Sequence, residues 1–205
     1  MKIAKIERSK HKQERILVHT EEGDLLRITE AELLQFGLYT GMELPPKLFE
    51  ALTAAAEKSE RRAYAARLAS GRMLSQKEVR DKLIRRAADA EEAAQTARWL
   101  AEIGAVDDAA YAGVIVRHYA AMGYGKGRVQ QELFRHGIPR ELWDDALSQL
   151  TDPSEAIERF IRSKQKDRPL DREMCRKLSA ALQRRGFSWN DIRPVLNKLG
   201  QEIEE

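Results

Sequence analysis

Cysteine is almost absent: Cys175 is the only one in 205 residues. A lone thiol forms no internal disulfide, and four scattered histidines do not complete a zinc site around it. Aromatic residues make up only 6% of the chain. No apolar run reaches the length of a membrane-spanning helix or of a secretory leader, and the opening Met1-Lys2-Ile3-Ala4-Lys5-Ile6-Glu7 is charged from its second residue. These absences predict a protein of the reducing cytoplasm, without metal, cofactor or membrane attachment.

An excess of one charge is also missing. Basic side chains number 36 and acidic ones 33, a net charge of +3. Residues 1–58 carry 9 basic and 10 acidic groups, 59–106 carry 10 and 7, 107–152 carry 5 and 7, and 153–205 carry 12 and 9. Two basic stretches thus flank an acidic one, which does not describe a uniformly basic surface for wrapping DNA.

What is abundant is Ala, Leu, Glu, Arg and Lys, the residues that propagate helices. The first 30 residues are the exception. Ile16 and Val18 alternate with Leu17 and His19, Glu21-Glu22-Gly23-Asp24 reads as a turn, and Leu26 and Ile28 resume the alternation. That is a hairpin with period two on both sides. Ile3 and Ile6 suggest a third strand, although their spacing does not alternate. Thr29 and Glu32 form a capping box for a short helix through Phe36, stopped by Gly37, and Gly41 with Pro45-Pro46 marks a further break.

From Lys47 onward the chain is punctuated for helices of roughly 10–15 residues. Ser75 with Glu78 and Asp89 with Glu92 are capping boxes; Asp152, Pro153 and Glu155 combine an N-cap, a first-turn proline and an acid. Gly104, Gly137, Gly186 and Gly200 follow amphipathic runs as C-caps do.

The strongest pattern is an internal repeat. Leu83-Ile84-Arg85-Arg86-Ala87, Leu133-Phe134-Arg135-His136-Gly137 and Leu182-Gln183-Arg184-Arg185-Gly186 lie 50 and 49 residues apart. Another leucine follows each first leucine by 17 residues: Leu100, Leu150 and Leu199. An amphipathic helix precedes each copy, over 59–69, 109–121 and 154–164, and a polar helix start falls inside each. Three short helices suffice to bury a small core. The pattern predicts a mainly α protein: three tandem three-helix, helix-turn-helix-like modules in an elongated curved array, with a small N-terminal β element. Its segments are a β-rich extension over 1–46, a first module with lead-in over 47–106, a second over 107–151 and a third over 152–205. A concave face of this kind suits several copies of a repeating partner.

The residues resemble the bacterial RecX regulatory proteins over most of the chain. Tyr64-Ala65-Ala66-Arg67-Leu68 with Arg72-Met73-Leu74-Ser75-Gln76-Lys77-Glu78-Val79-Arg80-Asp81-Lys82-Leu83 is similar to that family's first module. Gly104-Ala105-Val106-Asp107-Asp108-Ala109-Ala110-Tyr111-Ala112 is similar to its acidic junction. Gly123-Tyr124-Gly125-Lys126-Gly127-Arg128-Val129-Gln130-Gln131-Glu132-Leu133 and His136-Gly137-Ile138-Pro139 resemble its middle module. The N-terminal strands and Gly37-Leu38-Tyr39-Thr40-Gly41-Met42 resemble an extension found in some members. Two departures stand out: Ala87 replaces the turn glycine of the other modules, and a longer linker, 164–171, precedes the second helix of the third module.

The resemblance implies a protein that binds the RecA filament, in its groove or at its growing end. It restrains ATP hydrolysis, strand exchange and co-protease activity in homologous recombination, DNA repair and the SOS response. The expected action is binding rather than catalysis, an elongated monomer is the simplest expectation, and single-stranded or duplex DNA is a further candidate partner through backbone contacts.

Two features supply candidate contacts. Arg85-Arg86, Arg135-His136 and Arg184-Arg185 close the second helix of every module. Basic groups there offset the helix dipole, and also form a periodic stripe. The loop Gly123-Tyr124-Gly125-Lys126-Gly127-Arg128 is either a flexible turn or a contact loop presenting Lys126 and Arg128 to acidic protein or phosphate; without a preceding strand it is no nucleotide-binding P-loop. The candidate residues are therefore Arg85, Arg86, Lys126, Arg128, Arg135, Arg184 and Arg185.

Other readings compete. A DNA-binding regulator would use the same modules on duplex DNA. A metal-dependent nuclease would need Asp107-Asp108 as ligands, but adjacent acids before a helical run serve as N-caps, and Glu132 falls where surface charge is expected. Trp99, Trp143 and Trp189 read as packing residues, with Trp189 the one placed for base stacking, near Arg184 and Arg185. Cys175 lies among Arg172, Arg176 and Lys177, which would lower its pKa, or else is a half-buried spectator.

Overall fold

The computed structural model describes residues 1–12, 14–165 and 170–204. Three antiparallel strands come first: β1 (Ile3–Arg8), β2 (Ile16–Thr20) and β3 (Leu25–Ile28), in the order β1-β2-β3. The predicted hairpin closes through Gly23 at φ +94°, and the Asp24 amide donates to the Thr20 hydroxyl at 2.9 Å. In β1 the register with β2 shifts between Ile3 and Lys5. This bulge explains why Ile3 and Ile6 are three apart yet both turn toward the core. The free side of β1 is covered by the segment after Gly41, where the Ile3 amide donates to the Met42 carbonyl at 2.9 Å.

The short helix α1 (Glu30–Gln35) begins at Thr29 with both bonds of its capping box in place. Then α2 (Pro46–Gly71) runs for 26 residues. The sequence led us to expect shorter helices and a module helix starting at 59. Between Pro46, which sits at its first turn, and Gly71 there is no proline or glycine, and alanines carry it through. Its first half places Leu52 and Ala56 in the core beneath the sheet, with Ile3, Ile16, Val18, Leu26, Ile28, Leu38 and Leu44.

The remaining elements are α3 (Gln76–Ile84), α4 (Ala90–Glu102), α5 (Asp108–Ala121), α6 (Lys126–His136), α7 (Trp143–Leu147), α8 (Ser154–Gln165), α9 (Arg172–Arg184) and α10 (Trp189–Glu204). A turn of 3₁₀ helix, Arg140–Leu142, leads into α7. Contacts divide the chain into two compact units, residues 1–72 with 79–100, and residues 73–78 with 101–205.

In the first unit Arg61 of α2 reaches Glu92 of α4 through its Nε at 2.9 Å, and that guanidinium is held above its ordinary pKa chiefly by this bond. Asp89 caps α4 by accepting from the Glu92 amide at 2.7 Å. The reverse half of the expected box gives way to the Arg61 pair.

The second unit holds two cores. Ala112, Ile115, Val116, Val129, Leu133, Ile138, Ala146 and Leu147 fill one, between α5, α6 and α7. Ile157, Ile161, Leu178, Leu182, Phe187, Ile192, Val195, Leu196 and Leu199 fill the other, between α8, α9 and α10. The third helix of the middle module is only five residues long, shorter than expected, because Pro139 initiates a 3₁₀ turn and Thr151-Asp152-Pro153 follows soon after.

Gly200 is no C-cap. It lies inside α10, whose backbone continues to Glu204 without a left-handed residue there. Residues 166–169 of the linker expected before α9 lie outside the described residues; α9 itself is capped by Asp171, which accepts from the Met174 amide at 2.7 Å.

Candidate partner-binding residues

The three copies of the repeat fold to one turn. At the end of α3, α6 and α9 the carbonyls of Leu83, Leu133 and Leu182 accept from the amides of Ala88, Ile138 and Phe187 at 3.0–3.2 Å. The carbonyls of Ile84, Phe134 and Gln183 accept from Ala87, Gly137 and Gly186. This is the Schellman arrangement, with its left-handed residue at φ +59°, +69° and +88°. Ala87 takes that conformation although it is not glycine, so the substitution leaves the register of the first module intact.

The candidate basic groups sit at or near these turns in different surroundings. Arg85 and Arg86 are exposed; the Arg86 guanidinium lies over the Tyr64 ring at 4.0 Å. Arg184 and Lys126 are exposed and form no ion pair among the described residues. Arg185 points inward instead. Its Nη1 donates to the Gly123 carbonyl at 3.2 Å, and its guanidinium lies 5.2 Å from the Tyr124 ring and 4.8 Å from the Phe160 ring.

Arg128 and Arg135 bracket Glu132, which is only 2% exposed. Arg128 Nη2 reaches one carboxylate oxygen at 2.7 Å and Arg135 Nε the other at 2.6 Å. Glu132 holds the Arg135 guanidinium above its ordinary pKa through this bond. The expectation that Glu132 is surface charge is therefore corrected: the two arginines allow its carboxylate to be buried. Arginines four residues before and three after a glutamate, on one helix face, were the available signal.

The glycine-rich loop is neither slack nor a phosphate cradle. The Gly125 amide donates to the Arg185 carbonyl and the Gly127 amide to the Gly186 carbonyl, both at 2.9 Å. A β-carbon on Gly125 would stand 2.5 Å from the Gly186 carbonyl, so glycine is what lets the two backbones meet. These amides join the middle module to the third and are spent on that task.

Asp107 caps α5, accepting from the Ala110 amide at 2.8 Å. Asp108 is buried and accepts from the Gln76 amide at 2.9 Å. Beside this pair, the Ser75 hydroxyl donates to the His136 carbonyl, and His136 Nδ1 meets Glu78 at 3.0 Å and the Tyr111 hydroxyl at 3.2 Å. No cluster of three metal-ligating side chains occurs among the described residues.

Trp99 is half-buried, with Arg62 above it at 5.9 Å, and Trp143 donates its indole N–H to the Ile138 carbonyl at 3.0 Å. Trp189 is 49% exposed. The arginines around Cys175 do not lower its pKa. Burial pushes the thiol up, Asp171 adds to the rise, and Sγ lies 3.7 Å from the Leu170 carbonyl.

Tandem three-helix modules closed by one repeated turn, behind a small antiparallel sheet, define a modular helical class of protein. Residues 107–147 match the model of the RecX second three-helix domain, and residues 152–196 that of the RecX third three-helix domain. The chain is 31% identical over 197 residues to the regulatory protein RecX of Geobacillus kaustophilus, covering 93% of this chain and 73% of that protein. It is 33% identical over 121 residues to the regulatory protein RecX of Xanthomonas campestris pv. campestris, covering 58% and 75%. A crystal structure of a regulatory protein RecX superposes with a TM-score of 0.78 at 25% identity, over 96% of this chain and 98% of that one. The chain belongs to the RecX family. No described helix is long and apolar enough to cross a membrane.

Proposed function

We propose that this protein is a non-catalytic, cytoplasmic regulator of RecA. It binds the RecA–DNA filament as a monomer and restrains its ATPase, strand-exchange and co-protease activities. Residues 1–46 form the extension, and 47–106, 107–151 and 152–205 are the three modules that engage neighbouring RecA subunits.

The observation that supports this reading is the repeated turn, which ends the second helix of each module on basic side chains at equivalent positions. A partner built from identical subunits offers the same acidic surface again and again. Weak contacts made by linked modules then add through effective concentration. Of the candidate groups, Arg85, Lys126 and Arg184 are exposed and free of ion pairs among the described residues, so their charge remains for a partner. Arg86, Arg128, Arg135 and Arg185 engage rings, carbonyls or Glu132 within the chain, and contribute to the partner surface through what they hold in place.

The test is the single-stranded-DNA-dependent ATPase rate of RecA, titrated with this protein. Inhibition below one copy per RecA subunit is expected, and its loss when Arg85, Lys126 and Arg184 are all changed to Glu. An unchanged rate at excess protein disproves the reading; full inhibition by the triple variant removes these residues from it.

A further inference from the structure

The third module carries a groove of about 560 Å³ between α9 and α10, a size at which ligands bind. From α9 it is lined by Arg172, Cys175, Arg176, Ser179, Ala180 and Gln183, a single helical stripe. From α10 come Trp189, Arg193, Leu196 and Asn197, spaced four, seven and eight residues after the tryptophan. No Asp or Glu lines it.

Six arginines pair with carboxylates among the described residues: Arg8, Arg61, Arg98, Arg128, Arg135 and Arg162. Arg172, Arg176 and Arg193 are exposed and form no ion pair among the described residues. Three uncompensated guanidiniums therefore frame an apolar trough with a half-exposed indole at its edge. The wall charge selects an anion, and the indole selects one that carries a flat aromatic face.

We infer that this groove binds single-stranded nucleic acid, with an unpaired base stacked on Trp189 and the adjoining phosphates held by Arg172, Arg176 and Arg193. Stacking is open to any base, because every base has a π face, so recognition is tolerant of sequence. Duplex is disfavoured, because its bases are already stacked and the indole has no free face to meet. An acidic peptide would satisfy the arginines but leave the indole without a partner. None of these four residues is among the basic groups at the module turns, and the inference needs no RecA.

The experiment uses the full chain and fluorescein-labelled oligothymidylate, followed by anisotropy without RecA. Binding is expected with a slope of log K against log salt of about −2, as three phosphate contacts on a single strand imply. Trp189→Ala weakens binding about tenfold, while Trp189→Phe keeps most of it. Changing Arg172, Arg176 and Arg193 together to Gln flattens the salt slope. Oligothymidylate also slows alkylation of Cys175, the only thiol in the sequence, because the strand covers it. The inference is overturned by no binding, by binding that survives these variants, by equal affinity for duplex, by displacement with polyglutamate, or by an unprotected Cys175. Each of those results leaves the RecA reading standing, since RecA is absent from the assay.

Discussion

Gly186 packs directly on the backbone of Arg128, so that a β-carbon at position 186 would fall on the Arg128 amide. Main chain meets main chain here, beside the Gly127 amide that donates to the Gly186 carbonyl, and this close approach sets the first prediction. Gly186→Ala suffers both a left-handed backbone, at φ +88°, and a collision with main chain that cannot swing aside. A loss of roughly 2–5 kcal/mol is expected. Gly123→Ala has a similar φ of +74° but meets only the end of the Arg185 side chain, at an ordinary 3.6 Å. Its cost should stay at about 1 kcal/mol. Urea denaturation of the two variants separates collision from backbone strain, and equal losses would refute the packing account.

Ala87 poses the opposite case. It holds φ +59° where the other modules use glycine. Ala87→Gly relieves about 1–2 kcal/mol of left-handed strain and gives back about 0.4–1 kcal/mol through a looser unfolded chain. A net gain of about 0.5–1 kcal/mol is expected by urea denaturation. A loss would mean that the alanine methyl makes contacts worth more than the strain.

Adjacent arginines should behave differently. Arg185→Gln removes the bond to the Gly123 carbonyl and the charge over two rings, and should destabilise by about 1–3 kcal/mol. Arg184→Gln should change stability by less than about 0.5 kcal/mol, as surface substitutions do, while weakening inhibition of RecA. Thermal melts and ATPase titrations of both variants check this. A destabilised Arg184 variant would show that its exposure is misleading.

Cys175 should react slowly at neutral pH. Burial and the neighbouring Asp171 both disfavour the thiolate, so the midpoint of the alkylation rate against pH lies above the ordinary cysteine value. Asp171→Asn keeps an N-cap for α9 but removes the charge, and should move the midpoint down. Iodoacetamide kinetics across pH measure it. A midpoint below the ordinary value would restore the view that the nearby arginines dominate.

The features that were legible in the chain are those encoded locally. Alternation of Ile16 and Val18 with Leu17 and His19 placed β2, Thr29 with Glu32 placed α1, and glycine at 137 and 186 placed the turns. Ala87 could be understood only by laying the three repeats side by side, since alanine alone gives no hint of a left-handed residue. The places where sequence reasoning stopped involve distant partners or missing punctuation. Arg185 and Arg184 look alike in sequence, yet the carbonyl that claims Arg185 is 62 residues away. Glu132 reads as surface charge until its two arginines are seen to cover it. Trp189 reads as a packing residue that alone comes close to a stacking position, beside Arg184 and Arg185; the arginines that line the groove with it are Arg172 and Arg176 from the facing helix and Arg193 one turn along its own. Gly200 resembles a stop because glycine ends many helices, yet α10 continues through it to Glu204.

The length of α2 has a consequence for how the first unit responds to force or heat. One uninterrupted backbone serves as a beam, clamped at Leu52 and Ala56 beneath the sheet and again at Arg61 against Glu92. Loosening either clamp frees the same helix, so the sheet and α4 should give way together. A cut at residue 46 would strip the sheet of its floor and leave Leu52 facing water. The strands at the head of the chain are thus structural members of the first module's own support, and cannot be pared away like a tag.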